Sequence, residues 1–257
     1  MVLIGLCGLV TFAAEKLPRP GVPGDSPPQP NVRGAMIMPH PAGLPKDYKL
    51  LYEQNFEKPK ALQDFSMTDP DAWKIAHTNH VTAMELTTQS KYTPAVRSPV
   101  NIALISDKVF TDFVLEADLI QTGKEYGHRD MCLFFAMKDP SKFYYAHIAT
   151  AADDHAHNIF IVNDQPRTKI AKETTKGVNW GLDIWHKVRL ERKASDGSIK
   201  VYFDDMAKPI MVAEDKTFES GYIGFGSFDD TGMIDNIKVW GPSAQTKKTE
   251  FFKKAEK

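Results

Sequence analysis

The sequence predicts an all-β protein built from two packed antiparallel sheets. Between Tyr48 and Trp240 apolar residues recur with a period of two rather than 3.6. Short runs of aromatic and β-branched residues are separated by turn-forming clusters, and no long amphipathic helical stretch occurs. More than ten such runs in one domain suit a two-sheet sandwich better than a small barrel.

Each strand rests on its own pattern. In the run 113–120, Phe113, Leu115, Ala117 and Leu119 share one face, while Glu116 and Asp118 share the other. Runs at 130–137, 143–149 and 158–162 follow, punctuated by Lys138-Asp-Pro-Ser141, Asp153-Asp154 and Asn163-Asp164. The short 138–142 connection makes the first two of these runs hairpin partners. Ser195-Asp-Gly-Ser198 between alternating runs is a hairpin turn. Later strands are expected at 199–203, 209–213, 222–226 and 233–240, and one short helical turn within 56–71.

The flanks differ from this pattern. Residues 1–14, MVLIGLCGLVTFAA, are uncharged and apolar but too short to span a bilayer. They read as a signal peptide cleaved near Glu15, although a basic start is missing. Residues 15–46 hold 9 of the 17 prolines, which remove ladder donors, so an extended, disordered linker is expected. The domain is placed at 47–241. Residues 242–257 read as a disordered, solvated, Lys-rich tail.

Composition excludes several classes. A formal net charge of -1 offers no field for nucleic acid or an anionic membrane. Removal of residues 1–14 takes Cys7 and leaves Cys132 alone, so no internal disulfide forms. Cys132, between Met131 and Leu133, reads as a core residue. Phosphate loops, Cys-x-x-Cys pairs and nucleophile elbows are absent from the sequence.

Several stretches occur together in a recognisable order. Leu50-Leu-Tyr-Glu-Gln-Asn-Phe-Glu57 is followed by Trp73-Lys-Ile75, Asp112-Phe-Val-Leu-Glu-Ala-Asp118 and Phe134-Phe135. Then come Phe143-Tyr-Tyr145, Trp185-His-Lys-Val-Arg189 and Gly221-Tyr-Ile-Gly-Phe-Gly226, and last Ile234-Asp-Asn-Ile-Lys-Val239. This order resembles concanavalin A-like, laminin G-like jelly rolls, in particular bacterial secreted domains related to the 3-keto-disaccharide hydrolase family. The resemblance covers 48–240 and implies two curved sheets and a concave groove used for sugars. It also implies a rim calcium held by an acidic residue of the first strand and an Asp of the last, here Glu57 and Asp235. Fold alone does not decide activity.

Three side-chain sets could carry chemistry. Glu116 and Asp118 lie two apart on one strand face, roughly 6.6 Å, near the ~5–5.5 Å of a retaining glycosidase pair. The related glycosidase motif Glu-x-Asp-x-(x)-Glu needs a third carboxylate, and Gln121 stands there. The plainer reading is a polar outer face. His155-Ala-His157 on a strand would aim both imidazoles to one side, which suits a transition metal; the plainer reading is a polar loop. His128, Arg129, Tyr145 and His147, with Arg97 as a further donor, supply planar polar groups and aromatic faces for an oligo- or polysaccharide. In that reading Tyr144, Ala146 and Ile148 face the core. Three functions remain open: a sugar-binding module, a glycoside-active enzyme, and a structural or adhesion module without a small-molecule site.

Overall fold

A computed structural model describes residues 43–77 and 81–252. The expected signal peptide and nearly all of the proline-rich linker lie outside the described residues. In chain order the strands are β1 (Lys49–Gln54), β2 (Phe65–Met67), β3 (Trp73–His77), β4 (Thr82–Leu86), β5 (Asn101–Ile105), β6 (Lys108–Phe110), β7 (Phe113–Gln121), β8 (Asp130–Asp139) and β9 (Lys142–Ala149). They continue as β10 (Asn158–Asn163), β11 (Thr168–Lys169), β12 (Ala171–Thr174), β13 (His186–Lys193), β14 (Ser198–Phe203), β15 (Met211–Glu214), β16 (Tyr222–Ser227), β17 (Gly232–Gly241) and β18 (Ala244–Thr246). The only helical elements among the described residues are single 3-10 turns at Ala61–Asp64 and Pro70–Ala72.

The larger sheet runs β12-β15-β14-β13-β7-β17-β4-β3, with β1 added to β17. The smaller runs β11-β10-β9-β8-β16-β5-β2. Every ladder in both is antiparallel. The fold is therefore the two-sheet sandwich the sequence predicts. β8 and β9 form the expected hairpin, with Asp139 opposite Lys142. Gly197 turns the β13–β14 hairpin at φ 84°, a left-handed conformation that costs glycine little.

The core between the sheets takes the predicted face of β7, with Phe113, Leu115, Ala117 and Leu119. From β9 it takes Tyr144, Ala146 and Ile148, also as expected. Tyr145 and His147 therefore point away from this core. They are nevertheless buried, because the outer face of the smaller sheet carries a second apolar cluster. Ile102, Leu104, Cys132, Phe134, Met137, Phe143, Tyr145, Phe160, Val162 and Tyr222 form it, covered by Val96, Val109, Phe251 and Phe252. Cys132 is a buried free cysteine, as predicted.

The solvated-tail expectation is corrected for residues 244–252. β18 pairs with β6, and the Lys247 and Thr249 amides donate to the Asp107 and Ser106 carbonyls. Phe251 packs edge-on against Tyr222 at 5.3 Å, and Phe252 against Tyr92 at 5.7 Å. Two adjacent phenylalanines supply apolar area that the lysines around them mask in a compositional reading.

Candidate functional site

β8 sets the site through its register. Met131, Leu133 and Phe135 face the inner core, so Asp130, Cys132 and Phe134 face outward. Cys132 lies opposite His147 on β9, and His147 lies opposite Asn158 on β10. At this end of the sheet the covering cluster stops. A pocket of about 340 Å³ elsewhere, near Glu53–Asp64, is larger, but its carboxylates are already engaged, Asp64 by Gln54 and Tyr52 and Glu53 by Lys238.

The pocket where the cover stops has a volume of about 160 Å³ and is lined by Arg97, Tyr126, His128, His147, His155, Arg167, Phe228 and Asp229. Four of these, Arg97, His128, His147 and His155, were expected from sequence. Tyr126, Arg167, Phe228 and Asp229 were not. Arg167 stacks over Phe228 at 4.2 Å and Phe160 at 4.9 Å, and donates to the Tyr145 hydroxyl at 2.9 Å. Among the described residues, neither the Arg97 nor the Arg167 guanidinium is ion-paired with a carboxylate. His128 Nε2 lies 2.5 Å from Asp153 Oδ2. Burial opposes ionisation of Asp153, but the His155 amide and His128 more than offset it and hold the carboxyl below its usual range. Tyr126 donates to Asp230 at 2.9 Å.

Three carboxylates crowd behind the pocket. Asp130, Asp229 and Asp230 each offer an oxygen within 4.8 Å of the others. Burial, then the charge of Asp130, pushes Asp230 up to about 6 and raises Asp229 as well. His147 is 2% exposed; its Nε2 lies 3.2 Å from Asp130 Oδ2, and among the described residues neither ring nitrogen has a hydrogen-bond partner.

Several expectations are corrected by this geometry. Arg129 is on the inward side of β8 and buried, so it does not line the pocket. Its guanidinium donates to Gln121 Oε1, to the Gln121 carbonyl at 2.8 Å and to the Gly181 carbonyl at 2.7 Å. Tyr145 is fully buried and does not line the pocket; it meets the lining through its bond to Arg167 and an edge contact with His147. His155 and His157 diverge, so they are not one metal pair. His157 has φ 49°, which breaks the strand geometry their pairing assumed. It is buried, accepts from the Ala149 amide at 3.3 Å and sits 2.9 Å from Thr175 Oγ1. Burial depresses its pKa to about 4.

Glu116 and Asp118 lie on the outer face of the other sheet. Arg189 binds Glu116 at 2.9 Å; Lys187 and Asn236 bind Asp118 at 2.9 and 2.8 Å. Gln121 has the opposite parity and is buried, so the third motif position points to the opposite face from the first two. Asp235 is the cross-strand neighbour of Asp118 on β17, one residue before a bulge at Asn236. Its Oδ1 is buried without a hydrogen-bond partner among the described residues. Burial, with the charges of Asp118 and Glu57, pushes it up to about 6. An orphaned oxygen facing like charges fits a hard cation such as calcium. Glu57 and Asp235 would hold that ion, which would tie the segment after β1 to β17.

The fold has counterparts among solved structures. Winged bean acidic lectin complexed with methyl-α-D-galactose superposes with a TM-score of 0.51 at 10% identity, covering 78% of this chain and 100% of that one. Peanut lectin with a nine-residue peptide gives 0.50 at 12%, covering 79% and 99%. A carbohydrate-binding module from Bacillus subtilis gives 0.48 at 20%, covering 68% and 94%. The fold is a lectin-like jelly roll. At these identities the likeness extends to the fold only. No family model matches the chain, that of the 3-keto-disaccharide hydrolases included, and no curated protein does. Among the described residues no helix is long and apolar enough to cross a membrane.

Proposed function

We propose that this chain is an exported saccharide-binding domain whose ligand seats in the Arg97–Arg167 pocket at the uncovered end of the smaller sheet. One observation carries the reading. Two guanidiniums without carboxylate partners among the described residues converge with Tyr126, His128 and His155 on a pocket floored by Phe228. Guanidiniums bind carboxylate or sulfate groups bidentately, and ring edges and hydroxyls read vicinal diols. The expected ligand is therefore an acidic sugar, a uronate or sulfated residue. The volume is below the ~300–1,000 Å³ of drug-sized sites, so one terminal ring is held rather than a long chain. Lectin and carbohydrate-module neighbours are in keeping with this use of the fold. Export rests on the apolar residues 1–14 and the proline-rich segment after them. Calcium at Glu57 and Asp235 belongs to the same proposal as a structural ion.

The test is calorimetric titration with uronate-containing, sulfated and neutral oligosaccharides. Binding of an acidic sugar by the native protein, lost in Arg167→Gln with the fold retained, supports the reading. Binding unchanged in Arg167→Gln places the ligand elsewhere, and binding of no saccharide overturns the function. The His128–Asp153 pair beside Tyr126 also offers proton-transfer groups to a bound sugar, which favours a catalytic variant of the same reading. Release of new reducing or unsaturated ends, abolished in His128→Ala, would distinguish it.

A further inference from the structure

We propose that His147, Cys132 and Asp130 form a zinc-type metal site beneath the pocket. One imidazole nitrogen, the Sγ and a carboxylate oxygen of these side chains all lie within 4.8 Å of one another, and all three residues are buried. Cys132 Sγ is 3.1 Å from Asp130 Oδ2, and His147 Nε2 is 3.2 Å from the same oxygen. A tetrahedral ion with ~2.0 Å bonds to nitrogen and oxygen and ~2.3 Å to sulfur separates its ligands by roughly 3.3–3.5 Å. The two distances to Asp130 therefore stand close to the spacing that coordination needs, and the third pair lies within 4.8 Å.

The independent sign is His147. A buried imidazole with neither nitrogen hydrogen-bonded is rare in a folded interior, because its desolvation goes uncompensated. Its Nε2 lies 3.2 Å from the same carboxylate oxygen that Cys132 approaches, outside hydrogen-bonding geometry. Asp130 Oδ2 also accepts from the Phe228 amide at 3.0 Å, which fixes the carboxylate's orientation as outer-sphere bonds do at metal sites. Asp229 offers an oxygen within 4.8 Å of Asp130 and lines the pocket, as His147 does, which marks the side from which an ion arrives.

The donor set selects the ion. One sulfur, one imidazole and one carboxylate suit zinc; calcium prefers oxygen alone, so this site is distinct in chemistry from the Glu57–Asp235 pair. Cysteine ligates zinc as the thiolate, so metal binding releases the Cys132 thiol proton to solvent as the metal–sulfur bond forms. The ligands come from β8 and β9, two adjacent strands in the middle of the smaller sheet, a rigid frame for a fixed geometry.

The experiment uses the full chain with Cys7→Ser, freed of metal by chelation and titrated with cobalt and then zinc. The expected result is one equivalent bound, with a sulfur-to-cobalt charge-transfer band that zinc displaces. Cys132→Ser should remove the band, and His147→Asn should weaken binding by more than the ~10–100-fold that outer-sphere partners contribute. Should either variant fail to fold, the band in the Cys7→Ser protein decides alone, because Cys132 is then its sole thiol. Absence of binding overturns the site, and so does stoichiometric cobalt binding without a sulfur band. Neither outcome bears on whether the pocket holds a saccharide.

Discussion

The two outer faces of the sandwich are built on opposite principles. On the larger sheet, β13 alternates strictly and β7 does so over 115–119, and the outward side chains Glu116, Asp118, Lys187 and Arg189 meet one another in cross-strand pairs. On the smaller sheet, β5, β8, β9 and β16 are buried on both faces almost throughout. There the outward residues are Phe134, Tyr145 and Phe160, roofed by Val96, Phe251 and Phe252. Paired charges on a wet face need nothing above them. A second apolar layer must be roofed, and where the roof ends polar groups are left half-enclosed. That boundary is where Arg167, His128, His155 and the unpartnered His147 collect.

The sharpest contrast is in stability. Phe134→Ala, on the roofed face, should cost about 3–5 kcal/mol in urea unfolding, the range for a buried phenylalanine. A loss under about 1 kcal/mol would mean that the face is open. Deleting residues 247–257 strips Phe251 and Phe252 from Tyr222 and Tyr92 and should cost about 2–3 kcal/mol, given their partial burial. An unchanged midpoint would restore the solvated tail.

His157 and His155 differ in the same way, one enclosed and one exposed. Because the folded pKa of His157 is about 4 and its ordinary value is 6.5, the unfolded chain binds the proton between these limits. Stability should fall as pH drops from 6.5 to 4, by on the order of 3 kcal/mol from this group, and this contribution should be flat above 6.5. The slope should shrink in His157→Gln and persist in His155→Gln. The smallest effect belongs to the wet face. Glu116→Gln should change stability by less than about 1 kcal/mol, since Arg189 keeps Glu191 at 3.6 Å.

The strand pattern was legible because it has a local cause. Alternation at 113–120 and the Ser195–Ser198 turn each follow from a few neighbouring residues. Tyr144, Ala146 and Ile148 were placed correctly for the same reason. The sequence did not show that their alternates would be buried too, since continuous apolarity in β8 and β9 reads equally as one buried face or two. Nor did it show which side Arg129 takes, because that depends on the β8–β16 register. Arg97, His128, His147 and His155 were found by residue type. Arg167, Phe228 and Asp229 were missed because they reach the pocket from the β10–β11 connection and the β16–β17 loop. The His155–His157 pairing failed on one left-handed residue. The signal in Phe251-Phe252 was present and was outweighed by the lysines around it.

The contrast between the faces rests finally on where a sugar binds. The decisive measurement is the affinity of one acidic oligosaccharide for the native protein, Arg167→Gln and Glu116→Gln, side by side, with folding checked by circular dichroism. The expected result is binding that is lost in Arg167→Gln and unchanged in Glu116→Gln. Binding that survives in Arg167→Gln and is lost in Glu116→Gln would move the site to the wet face and contradict the assignment of the pocket.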